Sequence, residues 1–384
     1  MPPLNYSGKL VLAPMVRTGE LPMRLCALRY GADLVWSPEI VDKKIIGCKR
    51  IVNEKINCID FVLPEKDNTV VFRTHRYHER NKIIFQLGTA SPELAVQAAT
   101  IVAADVAGID VNSGCPKHFS IHSGMGAALL GTPDKLVAIL EALVKQVGNK
   151  FDIGISVKIR ILDTPEQTFD LVERLVKTGI CALTVHCRKI PMRPRERAIR
   201  DGYLAGIARI CRQAGVACIA NGDVYCRGDL NVLKDKHGVD SAMIASSAEA
   251  NVSCFSAETT DKVRHWREVA QEILTTAVEV DNHTTNTKYV LGRIIPGKDP
   301  LYRAIMQSHS HDDMNRAFQG LPPERQADLG QGTEEKGNAK RKIDMNELVD
   351  DVVRSGIGHQ RQRMADLHSS LVDGSTGLQQ LASR

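Results

Sequence analysis

The sequence predicts a (β/α)8 barrel, of the TIM-barrel kind, followed by a smaller all-helical domain, and three observations carry that expectation. Short apolar, β-rich runs alternate with longer amphipathic segments through about the first 250 residues, the pattern of repeated βα units. Eight such runs can be counted, each apolar almost throughout, as parallel strands buried on both faces are. After about Thr260 the alternation stops and only helical spacing remains.

Taken in order, the strands are "KLVLAPM", "DLVWSPE", "KIIFQLG", "AGIDVNS", "IGISVKI", "CALTVHC", "VACIANGD" and "VDSAMIA". Between them "ELPMRLCALRYG", "SPELAVQAATIVAA", "TPDKLVAILEALVKQVG", "TPEQTFDLVERLVKTG", "YLAGIARICRQAG" and "RGDLNVLKDKHG" have helical periodicity. Three of these start at Ser or Thr followed by Pro and most stop at Gly, which is the start and stop chemistry of helices. A doubly wound sheet would carry a glycine-rich fingerprint after its first strand, and "APMVRTGE" is not one. The stretch from about Gly47 to Asn81 fits no βα unit and reads as an insertion, with "CIDFVLP" and "TVVFRTH" as an extra hairpin. The expected division is a barrel over 1–258 with its insertion at about 47–81, a helical domain over 259–320, and a polar, disordered tail over 321–384.

Composition bounds the class. The chain has 384 residues, 43% hydrophobic and 25% charged, enough for one large core and a satellite domain. No apolar run approaches the roughly 20 residues of a membrane span, and the opening lacks signal-peptide order, so a cytoplasmic location is expected. Ten cysteines are scattered, never as CxxC, and some lie inside apolar runs, which fits reduced thiols and no metal site. The net charge of +5 is modest; its concentration in "CRKIPMRPRERAIR", Cys187 to Arg200, marks either a phosphate-contacting rim or a solvated loop.

A barrel does its chemistry at the C-terminal ends of its strands, and those ends form a set. They are Pro14 and Met15, Glu39, Gln86, Asn112 just before Cys115, Lys158 with Arg160, His186, then Asn221, Gly222 and Asp223, and finally Ser246 and Ser247. Buried polar groups are costly unless used, so one at the same end of nearly every apolar strand points to a single active-site cup. An amide, a lysine, a histidine and glycine-rich loops after the last strands suit a planar heteroaromatic cofactor carrying a phosphate, with flavin mononucleotide fitting and a nicotinamide as transient reductant. Cys115, between glycine and proline on the loop after the fourth strand, is either its reactive group or a structural thiol.

The motifs "LAPMVRTGELPMR", "FQLGT", "GIDVNSGCPK" with "GMGAALL", "VKIR", "VHCRK", "IANGD" and "VDNHTTNTKYVLGR" resemble those of tRNA-dihydrouridine synthases, in particular the eukaryotic group similar to dihydrouridine synthase two. The resemblance runs from about Leu10 to about Ile295. It implies an FMN-bearing barrel, NADPH or NADH as reductant, a helical tRNA-binding domain, and a D-loop uridine, position 20 in that group, as substrate; separately, a monomer is expected. It implies that Cys115 is the general acid that protonates C5 of a uracil whose C6 receives hydride. By position it assigns Pro14, Met15, Gln86, Lys158, His186, Asn221, Gly222, Ala245 and Ser246 to the flavin. It assigns Asn112, Lys117, Arg188, Asn282, Asn286 and Lys288, with Tyr289 and Arg293 beside them, to the uracil or tRNA.

Three features depart from the family. Ser246 stands where an arginine is usual, His122 where another basic residue is, and no double-stranded-RNA-binding domain is expected after Leu321. Two other readings stay open at this point. One is a barrel flavoenzyme acting on a free pyrimidine, and the other a tRNA-binding protein that has lost its flavin.

Overall fold

In the computed structural model, which describes residues 4–193, 195–256 and 263–321, the eight expected strands close on themselves. In chain order the strands are β1 (Leu10–Leu12), β2 (Leu34–Trp36), β3 (Ile40–Val41), β4 (Lys49–Asn53), β5 (Cys58–Leu63), β6 (Thr69–His75), β7 (Ile83–Gly88), β8 (Gly108–Ser113), β9 (Gly154–Arg160), β10 (Ala182–His186), β11 (Ala217–Asn221) and β12 (Ser241–Ile244). β1, β2 and β7 to β12 pair in parallel in that order, and β12 returns to β1 with Ile244 beside Leu12. The larger of two compact units, within residues 1–191 and 198–324, carries this barrel; of the second, only residues 192, 193 and 195–197 are described.

Alternation along each strand divides the side chains into two sets. Leu12, Val35, Phe85, Ile109, Val157, Val185 and Ile244 pack in the large cluster shared with the surrounding helices. The opposite phase, Val11, Ala13, Trp36, Ile84, Ala182, Ile219 and Met243, fills the barrel itself. Following that inward phase toward the C-terminal ends, apolar residues give way to Gln86, Asp110, Asn112, Ser156, Lys158, Thr184, His186 and Asn221. The cup is therefore the polar continuation of the apolar barrel core.

Tyr6 plugs the other end. Its ring lies 6.4 Å from that of Trp36, and its carbonyl accepts a 2.5 Å hydrogen bond from Ser241 Oγ. A Cβ at Gly108 would stand 2.6 Å from the Tyr6 hydroxyl, and one at Gly154 would stand 2.9 Å from it. Neither strand has room for a side chain there. Gly108→Ala is expected to destabilise the barrel by about 1–3 kcal/mol, as overpacking does, read as a lowered denaturation midpoint with an unchanged slope.

The helices follow the sequence pattern: Leu21–Arg29, Pro92–Val102, Pro133–Leu143, Pro165–Leu175, Leu204–Gln213 and Gly228–His237. Of the three Ser/Thr-Pro starts, Ser91 caps by accepting from Leu94 N–H, and Thr164 forms a reciprocal capping box with Gln167, whereas the Thr132 side chain caps nothing. The insertion is larger than a hairpin, because β4 adds a third antiparallel strand to β5 and β6. β4 is solvent-facing, with Ile51 39% and Val52 40% exposed, so it has no buried alternation for a sequence pattern to reveal. Arg73 ties this sheet to the helical region: it pairs with Asp60 at 2.5 Å and donates to the carbonyls of Val280 and Asp281.

The helical region consists of Trp266–Glu279, Thr284–Ile294, Pro300–Gln307 and His311–Phe318. The fourth helix is short and charged, and is started by a Ser310–Asp313 capping box. The first of the four packs on the helix Leu21–Arg29, where Arg29 donates to Thr276 Oγ1 at 2.6 Å and the Tyr30 hydroxyl donates to Glu272 at 2.5 Å. The expected boundary at 258/259 and the expected tail from residue 322 fall outside the described residues. No helix among the described residues is long and apolar enough to cross a membrane, and all ten cysteines are free.

Candidate active site

The loop after β8 is built around Cys115. Asn112, the last inward-facing residue of β8, accepts hydrogen bonds through Oδ1 from the N–H groups of Gly114 (3.0 Å) and Cys115 (3.1 Å). The Cys115 carbonyl accepts from Ala127 N–H at 3.0 Å, and Arg160 Nε donates to the Gly114 carbonyl at 2.8 Å. Gly126 completes the clamp with φ +57, and a Cβ there would meet Ser120 Oγ at 2.3 Å and the Cys115 carbonyl at 2.7 Å. Gly124 has only an ordinary 3.6 Å neighbour in Ala90, so its φ of +72 serves the turn alone. The turn leaves the Cys115 thiol half-buried. Burial, and secondly the nearby Glu39 charge, push its pKa up, which keeps it protonated at neutral pH.

Across the barrel floor of the cup runs a hydrogen-bonded row. Gln86 Nε2 donates to Asp110 Oδ2 at 2.8 Å, and Ser156 Oγ donates to Asp110 Oδ1 at 2.7 Å. Burial raises the Asp110 carboxyl to about 6, opposed by these bonds and by the Lys158 charge. Asp110 and Ser156 were absent from the expected site. Their signal was in the alternation, since "GIDVN" puts Asp110 on the same face as Asn112, but attention to strand ends alone passes over residues one turn of the pleat deeper. Beside the row, burial and then Arg160 push the Lys158 ammonium down to about 8.

His186 is held by a different network. Arg188 Nη1 lies 3.0 Å from His186 Nε2. A guanidinium can only donate, so Nε2 accepts and the proton sits on Nδ1. Burial, then the charges of Lys158, Arg160 and Arg188, push the His186 pKa far down, and the ring is neutral. Arg188 in turn forms an ion pair with Asp223, whose other carboxylate oxygen accepts from Ala198 N–H at 2.6 Å. Arg200 donates to the carbonyls of Gly222 (2.7 Å) and Asp223 (2.6 Å). Arg188, expected to contact tRNA, is 6% exposed and orients the imidazole; a strand-end arginine looks the same in sequence whichever way its side chain turns.

The remaining expected residues are distributed as follows. Pro14, Met15, Ala245 and Ser246 are half-buried at adjoining strand ends, with Met15 and Ala245 packed against the barrel's inner cluster. Asn221 is buried and donates to the Met243 carbonyl at 2.9 Å, while Gly222, at φ +101, lies against the His186 ring. Lys117 is exposed on the Cys115 loop.

Asn282, Asn286 and Lys288 are not gathered at the cup. Asn282 Nδ2 donates to Asn286 Oδ1 (3.0 Å) and Thr287 Oγ1 (2.9 Å), Asn286 Nδ2 donates to the Arg17 carbonyl (2.6 Å), and Lys288 donates to the Ser308 carbonyl (2.8 Å). With the Arg17 guanidinium 5.3 Å above the Tyr289 ring, and with Thr18 and Arg293 both bonded to Glu249, these side chains fasten the helical region to the loop after β1. His122 lies at the end of the short helix that follows Lys117.

An inward amide, a cation and a neutral imidazole make a donor set for a planar ring rich in carbonyl and nitrogen acceptors. The residues fit a flavin. Among the described residues no group of three or more His, Cys, Asp or Glu could hold a metal ion.

The family described as dihydrouridine synthase (Dus) matches residues 11–321. A Schizosaccharomyces pombe protein named tRNA-dihydrouridine(20) synthase, NAD(P)+, is 53% identical over 321 residues, which cover 82% of this chain and 66% of that protein. A Saccharomyces cerevisiae protein of the same name is 49% identical over 327 residues, 83% of this chain and 85% of its own. A human protein named tRNA-dihydrouridine(20a/20b) synthase, NAD(P)+-like, is 30% identical over 276 residues, 70% of this chain and 78% of its own.

Proposed function

The chain belongs to the dihydrouridine synthase family, and from that premise we propose that it is an FMN-dependent tRNA-dihydrouridine synthase that consumes NADPH or NADH in the cytoplasm. Its substrate is a D-loop uridine, position 20 by the names of the two yeast relatives, and its product is 5,6-dihydrouridine. The observation that carries this reading is the Cys115 thiol, on a loop whose residues 114 and 115 are held by four backbone contacts beside a cup whose lining suits a flavin.

Bound flavin supplies the hydride that C6 of the uracil receives. The protein's residues do the rest. Gln86 and the Nδ1–H of His186 would donate to a flavin's ring, Lys158 would offset negative charge on it, and Pro14, Met15, Ala245, Ser246, Asn221 and Gly222 would wall it in. Asn112 and Cys115 face the uracil, which must leave its stack to reach the cup. The thiol S–H breaks as its proton passes to C5. Lys117 and the helical domain at about 259–320 receive the tRNA, which the protein engages as a monomer.

Lys158 gives a pH test. Its ammonium titrates near 8, so the cation is present below that pH and lost above it. Affinity of the flavin-free protein for FMN is expected to fall as pH rises from 7 to 9, followed by quenching of flavin fluorescence; a flat profile contradicts the assignment. The function itself is tested anaerobically. NADPH should bleach the flavin of the purified protein, and tRNA lacking dihydrouridine should restore its absorbance. Restoration by free uridine instead identifies a free-pyrimidine reductase, and a protein that binds tRNA but retains no flavin identifies the non-catalytic alternative.

A further inference from the structure

Next to Cys115 stands a carboxyl that the proposed chemistry has not yet used. Glu39 follows β2, and its side chain reaches under the Cys115 loop, where Ser120 Oγ lies 3.4 Å from Oε1. Oε2 is buried and has no hydrogen-bond partner among the described residues. Asn112, Cys115 and Ser120 are its polar neighbours. The space is made for it: a Cβ at Gly88 would stand 2.7 Å from Glu39 Oε1. A buried carboxyl in polar contact with the group that must lose a proton each cycle is a proton relay in position.

We propose that Glu39 returns a proton to Cys115 after each turnover, which rests on the reading of Cys115 as the acid. Once the thiol has protonated C5 it is a thiolate. That thiolate beside the Glu39 carboxylate draws a proton from water onto Glu39; the new O–H bond then breaks as the S–H bond of Cys115 re-forms, and the carboxylate is restored. Water supplies one proton to the carboxylate, so each turnover takes one proton from solvent and neither sulfur nor carbon changes oxidation state in this step.

The electrostatics run the same way. Burial raises the Glu39 pKa, and a thiolate and a carboxylate side by side in a buried site disfavour each other's charge, so a newly formed thiolate draws a proton onto the pair. The other charges facing this pair are Lys117, toward both groups, and Lys158 and Arg160, toward Cys115. The two acids titrate as a coupled pair.

The test is alkylation of the holoenzyme by iodoacetamide across pH, with Cys115 followed by peptide mass spectrometry, together with pre-steady-state product formation on tRNA. In the wild type, Cys115 alkylation is expected to rise in two steps. In Glu39→Gln a single step is expected, its midpoint lower by about one pH unit because the like charge is gone. Product should then appear as one burst per protein followed by a steady rate about 100-fold below wild type. Superimposable alkylation profiles, or a wild-type steady rate, overturn the role of Glu39. If Glu39→Gln does not fold, the wild-type profile alone decides, and a single step overturns the proposal. Absence of product from the wild type overturns the function assigned above and with it the turnover role, whereas product with unchanged profiles removes Glu39 alone.

Discussion

Cys115→Ala is expected to lower dihydrouridine formation by about 10²–10⁴-fold, the usual weight of a positioned general acid, while the protein keeps its fold and its flavin. The reason lies in how the loop is held. Asn112, Arg160 and Ala127 grip the backbone of residues 114 and 115 rather than the thiol, so removing sulfur leaves the turn intact. Single-turnover reduction of tRNA by the NADPH-reduced variant measures the proton-transfer step directly. Equal rates for variant and wild type would assign the proton to another group.

Glu79→Ala is expected to destabilise the protein by about 3–5 kcal/mol, a large share of the roughly 5–15 kcal/mol that folded domains have. Arg24 and Glu79 are both fully buried, with Arg24 Nε 2.6 Å from Oε1 and Nη2 3.1 Å from Oε2. The carboxylate also accepts from Thr74 Oγ1 (3.0 Å) and His75 N–H (3.1 Å), and the guanidinium donates to the carbonyls of Gly19 (2.8 Å) and Arg73 (2.6 Å). Loss of the carboxylate strands a guanidinium in the core. The double replacement Arg24→Met with Glu79→Leu removes both charges and is expected to cost much less; equal losses in urea denaturation would show that packing, and not the unpaired charge, is responsible. Gly19 belongs to the loop that carries Met15, so this pair also ties the insertion to the wall of the cup.

Local chemistry explains what the sequence revealed. Eight apolar runs, Ser/Thr-Pro starts and glycine stops are short-range features, and every expected barrel strand formed. The cup was legible for the same reason, because the switch from Ile84 to Gln86 or from Ile219 to Asn221 happens within two residues of one strand. What escaped was non-local. The Arg24–Glu79 pair spans 55 residues, and nothing near either residue announces it. Arg188 and the Asn282–Lys288 stretch carry polar side chains in motif positions, yet their partners, Asp223, Arg17 and Ser308, come from other elements. A motif identifies a side chain's type and address; only the packed elements decide whether it faces the cup or fastens the scaffold.

The departure at Ser246 gains meaning from this geometry. The residue starts the short helix Ser246–Ala250 beside Ala245 at the end of β12. Its helix also carries Glu249, which bonds Thr18 and Arg293, so this corner joins the cup to the helical region.

The measurement that tests the central claim most directly is mass spectrometry of tRNA from cells lacking this protein, complemented with wild type or with Cys115→Ala. Dihydrouridine is expected to disappear from position 20 of the D-loop in the deletion, and only the wild type is expected to restore it. Unchanged dihydrouridine in the deletion, or full restoration by Cys115→Ala, would contradict that claim.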